Sequence, residues 1–443
     1  MDRPHQVLRR SFSALALITA GALGVILLLN LGGWRARILA RALRTDNAPL
    51  VVPRPRNFQP RVPPGFEAAV FATGFVAPRW LAVAPNGDVF VADSGAGQVV
   101  VLRGLRRPAA TQSHEIFADH LNMPFGIAFH NAFVYVGDTD EVLRFPYDPR
   151  TSKRLGKGEH VLDLPGKGYH QHWTRSLAFA PDGQRMLVSV GSSSNISIES
   201  DPRRAAILVA DPDGKNMRIF ASGLRNAVGI AFNPDSGNLW ATVNERDDLG
   251  DDVPPDYFTH VVDGGFYGWP YSYIGRHVDN RVKPRPDLVA TALVPDVLLG
   301  AHVAPLQFTF YQGQQFPSTY QGGAFVAEHG SWNRSIRSGY LVVFVPFRNG
   351  LPAGEPTPFF SGFVPDPGGK DVYGRTVGVA VEVDGSLLIS DDGGKLIWRV
   401  VYKPELRRIN YSSVRLQQVD QFQGSTINIM STDQVGSRYD RQQ

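Results

Sequence analysis

Between residues 78 and 402, short apolar strands alternate with glycine- and proline-bearing turns in a plan that recurs six times. The six passages are PRWLAVAPNGDVFVADSGAGQVVVL from Pro78, MPFGIAFHNAFVYVGDTDEVLRF from Met123, TRSLAFAPDGQRMLVSVGSSSN from Thr174, NAVGIAFNPDSGNLWATVNERD from Asn226, APLQFTFYQGQQFPSTYQGGAFVAEHG from Ala304 and GRTVGVAVEVDGSLLISDDGGKLIWRV from Gly374. In each, an apolar strand such as LAV, GIAF or GVAV leads through a turn to a second β-rich strand, and most copies then enter a polar, glycine-rich loop. Period-two patterning bounded by turn residues reads as antiparallel strands. Equivalent strands lie about 45 to 80 residues apart, a spacing that suits four-stranded propeller blades with insertions in the later copies. Sandwiches and barrels also use regular short strands, but the repeated strand-turn-strand unit favours a ring. The pattern therefore predicts an all-β, six-bladed β-propeller of four-stranded antiparallel blades over residues 65–402. Its ring closes by pairing FEAAVF from Phe66 with the last blade near Tyr402, which leaves no long edge exposed.

Ahead of the repeats, Ser11 to Trp34 form an uncharged run of 24 residues, enough for a helix of about 36 Å at about 1.5 Å per residue. Residues 1–44 thus read as a membrane anchor or signal segment. The length of the run and the lack of a small-x-small cleavage site favour an uncleaved transmembrane helix. Arg9, Arg10 and Phe12 resemble a twin-arginine signal, whereas the arginines on both sides of the segment give no preferred orientation. Six prolines in residues 45–64 read as an extended spacer, and residues 403–443 as a polar tail.

Composition changes this picture in two respects. The chain of 443 residues has no cysteine, which excludes disulfides, thiolate metal sites and a cysteine nucleophile. Its net charge of +4 invites a nucleic-acid reading, but residues 1–44 carry seven Arg against one Asp, so the rest of the chain sums to −2 and no nucleic-acid partner is expected.

Four loops hold candidate chemistry. GYHQHWTRSL brings His170, His172, Trp173 and Arg175 to the start of the third inner strand, where imidazole can take a proton and a guanidinium can stabilise an anion. A surface His pair is the plain alternative. GLRNAVGIAF places Arg225 and Asn226 at the same point of the fourth repeat. Arg79 and Arg375 stand there in the first and sixth, so four guanidinium groups at one channel mouth call for an anionic partner. VNERDDLGDDVPPDYF supplies Glu245, Asp247, Asp248, Asp251, Asp252 and Asp256, hard oxygen ligands suited to Ca²⁺ unless the run is simply a solvated acidic loop. EHGSWNRSIRSGY offers His329, Trp332, Arg334 and Arg337, suited to stacking on a flat anionic ligand or to an ordinary structured loop.

At these loops the chain resembles the pyrroloquinoline-quinone (PQQ)-dependent soluble aldose dehydrogenases, in particular the L-sorbosone dehydrogenase branch. The segments that carry the likeness are HWTRSLAFAPDG, GLRNAVGIAFNPDSGNLW, NERDDLGDDVPPDYF with GGFYGWPY, HVAPLQFTFY, HGSWNRSIRSGY and GRTVGVAVEVDGSLLISDDGG, in order, across about residues 60 to 402. The resemblance implies a six-bladed propeller with PQQ lying flat at the channel mouth, Ca²⁺ against it and a sugar or sugar aldehyde above. It implies that His172 is the catalytic base, although His-x-x-Arg here is one residue shorter than in the soluble glucose enzymes and leaves His170 as the alternative. It implies that Arg225 and Asn226 meet cofactor and substrate, with Arg225 also stabilising developing negative charge, and that Arg175, Trp332, Arg334 and Arg375 contribute to cofactor binding, with His302 a further pocket wall. Calcium would be held at Glu245 and Arg246 by main-chain carbonyls, with Asp247 assisting. The implied setting is a membrane-tethered, periplasmic domain passing electrons to an acceptor at the membrane. Two other readings stay open: a calcium-dependent lactonase, which expects carboxylates from several blades around one ion, and a non-catalytic binding propeller.

Overall fold

The computed structural model describes residues 47–103, 113–166 and 172–404. The anchor segment, His170 and the polar tail beyond Pro404 lie outside them. No helix among the described residues is long and apolar enough to cross a membrane.

Each of the six passages supplies the first two strands of one blade; five blades are four-stranded, and blade 2 carries a fifth short strand, Lys153–Arg154, paired with its third. Blade 1 runs Pro78–Val83, Val89–Asp93, Gln98–Arg103 and Ser113–Ala118. The inner strands of blades 2 to 6 are Ile127–His130, Leu177–Phe179, Asn226–Phe232, Pro305–Phe310 and Thr376–Val381. These inner strands contact one another in chain order, and the sixth meets the first, so the sheet stack is a closed six-bladed ring. The closure is the one expected: Phe66–Thr73 pairs antiparallel with Leu396–Tyr402, Phe66 opposite Tyr402, and completes blade 6.

The apolar side chains form six clusters, one in each seam between blades. Alternation along a strand selects the seam. In Val89–Asp93, Val89 and Val91 face blade 6, while Phe90 and Ala92 face blade 2. Second strands are therefore buried on both faces, and runs such as LLISD and AFVAE show no polar face.

The same ring explains the glycine of the GIAF and GVAV motifs. A Cβ on Gly229 would stand 2.4 Å from the Leu306 carbonyl oxygen of the next inner strand, and one on Gly378 2.2 Å from that of Arg79. At both positions the inner strand's register shifts, and its free N–H is taken by a hydroxyl on the second strand: Gly229 N–H donates to Thr242 Oγ1 (2.8 Å) and Gly378 N–H to Ser390 Oγ (2.7 Å).

The proline-rich run is extended but docked. Leu50–Val51 pairs in parallel with Asp371–Val372, and Phe58 packs on Phe363, Tyr373 and Trp398 at 5.4–6.2 Å between ring centres. Between the third and fourth strands of blade 4, residues 261–296 form an insertion with a short hairpin, Ser272–Tyr273 with His277–Val278, and one helical turn, Pro286–Val289. Fully buried Arg246 ties this insertion to the blade through ion pairs with Glu245 (2.9 Å) and Asp279 (3.2 Å) and a hydrogen bond to the Ser272 carbonyl (2.6 Å).

Candidate active site

At the end of the channel where the inner strands begin lies a cavity of about 350 Å³. His172, Arg225, Asn226, Glu245, Asp247, Trp332 and Arg375, all singled out in the sequence, line it, joined by Arg79, His302 and His329.

His172 sits at φ 50°, a left-handed conformation unusual for a side chain larger than Gly. Arg175 holds it there, donating to the main-chain carbonyls of His172, Thr174 and Pro165 at 2.8 Å each. Arg175 is thus fully buried beneath the loop and is not among the cavity-lining residues, so the expected cofactor contact is replaced by a positioning role. Gly191 lets the loop close, because a Cβ there would stand 2.3 Å from Asn226 Oδ1 and 2.7 Å from the His172 Cβ.

Ser192 settles which ring nitrogen of His172 carries the proton. Nδ1 lies 3.0 Å from the Ser192 carbonyl, which can only accept, and 2.9 Å from Ser192 Oγ, whose own proton goes to the Ser194 carbonyl at 2.6 Å. Nδ1 is therefore the donor, and the lone pair is on Nε2, which finds no partner among the described residues. Burial and the nearby Arg225 charge hold the His172 pKa well below 6.5, although its bond to Ser192 opposes them. At neutral pH this ring is an unprotonated base.

Arg225, almost wholly buried, donates to the carbonyls of Asn195 (3.1 Å), Asn244 (3.3 Å) and Glu245 (2.7 Å) and pairs with Asp247 (3.1 Å). Asp247 in turn accepts from Asn333 Nδ2 (2.6 Å), and His302 stands 3.7 Å away. Beside Arg225, the buried Asn226 Oδ1 has no hydrogen-bond partner among the described residues, which leaves an acceptor for a ligand donor. Trp332, 37 % exposed, forms the rim.

On the opposite wall Asp392 pairs with Arg79 and with His329 Nε2 (3.0 Å). Burial opposes its charge, but His329, Arg79 and Arg375 outweigh burial and hold the carboxyl well below the usual aspartate range. Arg79 also lies over the rings of Trp173 (5.2 Å) and Phe125 (5.5 Å). Three of the four expected guanidinium groups therefore meet at the mouth, and internal carboxylates offset part of their repulsion. The fourth is Arg175, buried beneath its loop; Arg334, expected separately at the cofactor, pairs with Asp252 at 2.5 Å and does not line the cavity.

Of the three expected metal residues, Glu245 has carboxylate Oε2 bound by Arg246 and Oε1 buried with no partner among the described residues, while the Arg246 guanidinium points away into the insertion. No group of three or more His, Asp or Glu among the described residues could hold a metal ion. What the turn offers is hard oxygen: the Asn244 and Glu245 carbonyls, each with a second lone pair beyond its bond to Arg225, and the Asp247 carboxylate. This suits Ca²⁺ in kind but falls short of the six to eight oxygens it takes, so a ligand and water must supply the remainder.

Asp392, Asn333 and Ser192 were not anticipated. Asp392 had a signal in the repeat, since Asp93 and Asp391 end second strands, Asp138 directly follows one, and all three cap main-chain N–H groups leading to inner strands. The second aspartate of SDD is thereby left to pair with Arg79 and His329, which line the cavity. Ser192 and Asn333 had none, because loop folding alone brings them to His172 and Asp247.

Comparison with known proteins agrees with the architecture. A Borreliella burgdorferi protein of uncharacterised function is 29 % identical over 357 residues, covering 77 % of this chain and 91 % of its own length. A pyrroloquinoline quinone-dependent pyranose dehydrogenase of Coprinopsis cinerea is 25 % identical over 342 residues, 66 % of this chain, and the match spans only 46 % of that larger protein. The holo form of the PQQ domain of C. cinerea pyranose dehydrogenase superposes with a TM-score of 0.67 at 22 % identity over 79 % of this chain and 98 % of the domain, a likeness of fold. The TrAA12-like family model matches residues 60–255 and 289–403, leaving out most of the blade-4 insertion. With the larger part of the chain so matched, this propeller belongs to the TrAA12-like family.

Proposed function

We propose that the protein is a PQQ-dependent oxidoreductase of sugars or sugar aldehydes, of the aldose or sorbosone type. The observation that carries this reading is the free Nε2 of a neutral, rigidly held His172 beside a cavity with three arginines on its walls. The cavity is of small-molecule size. PQQ, a flat tricarboxylate, matches its chemistry: Arg79, Arg225 and Arg375 for negative charge, Trp332 for a ring face and the orphaned Asn226 Oδ1 for a donor. When bound, the quinone supplies a hydride acceptor. His172 Nε2 takes the proton of the substrate hydroxyl, Ser192 keeps its ring oriented, and Arg225 stabilises negative charge developing on the substrate oxygen. Calcium would be held by the carbonyls of the Asn244–Asp247 turn with Asp247 beside them, and would add positive charge at that wall. The lactonase reading expects carboxylates from several blades around one ion, whereas the cavity-lining carboxylates Glu245, Asp247 and Asp256 all come from blade 4.

The uncharged N-terminal segment would tether the propeller, in this reading on the periplasmic side, near a membrane electron acceptor. The test is dye reduction by the purified protein with a panel of aldoses and sugar aldehydes, with and without PQQ and Ca²⁺. Activity that needs PQQ supports the proposal, and absence of both quinone binding and dye reduction overturns it. Chelation of Ca²⁺ is expected to weaken PQQ binding measured by absorbance. An affinity unchanged by chelation would remove the metal from the site.

A further inference from the structure

The cavity holds a second histidine fixed with one bare ring nitrogen. His329 Nε2 lies 3.0 and 3.1 Å from the two oxygens of Asp392. That carboxylate can only accept, so Nε2 bears the proton and Nδ1 the lone pair. Nδ1 finds no partner among the described residues, and His329 lines the cavity. The ring is held from its main chain as well: the His329 N–H donates to the Ala304 carbonyl (2.9 Å), and Arg375 donates to the carbonyls of His329 (3.2 Å) and Gly330 (3.1 Å). The charged groups acting on the ring are Arg375, Asp392 and Arg79; burial and the arginines outweigh Asp392 and lower its pKa to about 4.

Of the three imidazoles on the cavity wall, His302 has both ring nitrogens engaged, by the Gly250 carbonyl (2.9 Å) and Asn333 Nδ2 (3.3 Å), while His172 and His329 each keep one bare and are fixed through opposite nitrogens. His172 is tied to neutral oxygens by Nδ1, and His329 to an ionised carboxylate by Nε2. Oxidation of a sugar hydroxyl to a carbonyl releases two electrons and two protons. One proton is the hydroxyl proton, which His172 takes. The other hydrogen leaves carbon as hydride with both electrons, and becomes the second proton once those electrons have passed to one-electron acceptors. We infer that His329, backed by Asp392, is the second proton acceptor of this cavity and serves the step in which bound quinone is re-oxidised. This inference rests on the proposed dehydrogenase reading.

The test uses the full-length protein and His329→Gln, whose amide can still donate to Asp392 but has no ring nitrogen to accept a proton. Stopped-flow absorbance follows quinone reduction by sugar and, separately, re-oxidation by a ferricenium salt. The variant is expected to slow re-oxidation about 10²-fold or more relative to reduction, within the range of about 10²–10⁴ that general acid–base catalysis contributes. The solvent deuterium effect on re-oxidation should change with it. In the unaltered apoprotein, ¹⁵N NMR should show His329 protonated at Nε2 and bare at Nδ1 at pH 7. Equal effects on the two half-reactions, no effect on either, or the opposite tautomer overturns the role of His329. An unaltered protein that neither binds quinone nor is reduced by any sugar overturns the dehydrogenase reading itself, and this role with it.

Discussion

The chemistry of the site turns on which atoms are left without partners. His172 has its Nδ1 used by Ser192 and its Nε2 free, so replacing it by Gln should lower kcat by about 10²–10⁴ while the thermal midpoint stays close to that of the unaltered protein. Loss of the fold instead would show His172 to be structural. Because its pKa lies well below 6.5, the acid limb of the pH–kcat/KM profile is expected below pH 6.5, and a limb above that value would show a different group to be the base. Arg375→Ala should weaken quinone binding about 10- to 100-fold, the scale of a lost hydrogen bond to a charged group, measured by absorbance titration. These residue types were legible as candidates in the sequence. Their assignment was not, since Arg175 and Arg375 occupy equivalent positions in the repeat, yet one is buried under a loop and the other reaches the cavity.

At the scale of elements, the inner strands do two jobs. Their first residues carry the cavity wall, and the glycines just beyond let neighbouring strands approach. Gly229→Ala would place a Cβ 2.4 Å from a main-chain oxygen and should cost about 1–3 kcal/mol, read from the urea midpoint. An unchanged midpoint would mean that the blades can move apart. The repeat exposed these strands because turn chemistry and apolar runs are local properties of the chain. It did not expose the docking of residues 47–61, whose partners Ser361, Asp371 and Val372 lie about 300 residues away. Nor did it expose the grip of the Arg246 guanidinium on the blade-4 insertion, a brace that leaves the main-chain carbonyl, the group expected to meet a metal, in the turn.

For the whole molecule, buried carboxyls set the response to pH. Burial raises Asp256 and Asp138 to about 7 and Asp391 to about 6, from an ordinary value of 3.8. Each binds its proton more tightly folded than unfolded, so its contribution to stability is complete below about pH 3.8 and is lost as pH rises towards 6–7. Asp392 has the opposite sign, stabilising above 3.8 and losing its effect in acid. The thermal midpoint is therefore expected to fall between about pH 4 and pH 7, and Asp256→Asn should flatten that slope. His172 and His329, whose pKa values are lowered, push the midpoint the other way over this interval, so the decisive result is the difference: a slope left unchanged by Asp256→Asn would show that Asp256 is ionised in the fold. The six-fold repeat, the closure by Phe66–Thr73 and the gathering of His and Arg at inner-strand starts were determined by the sequence itself, because strand patterning and turn residues act over a few positions. Which nitrogen of His172 is free, which arginines face the cavity and where Asp392 stands were decided only by tertiary structure, because each depends on a partner from another loop or blade.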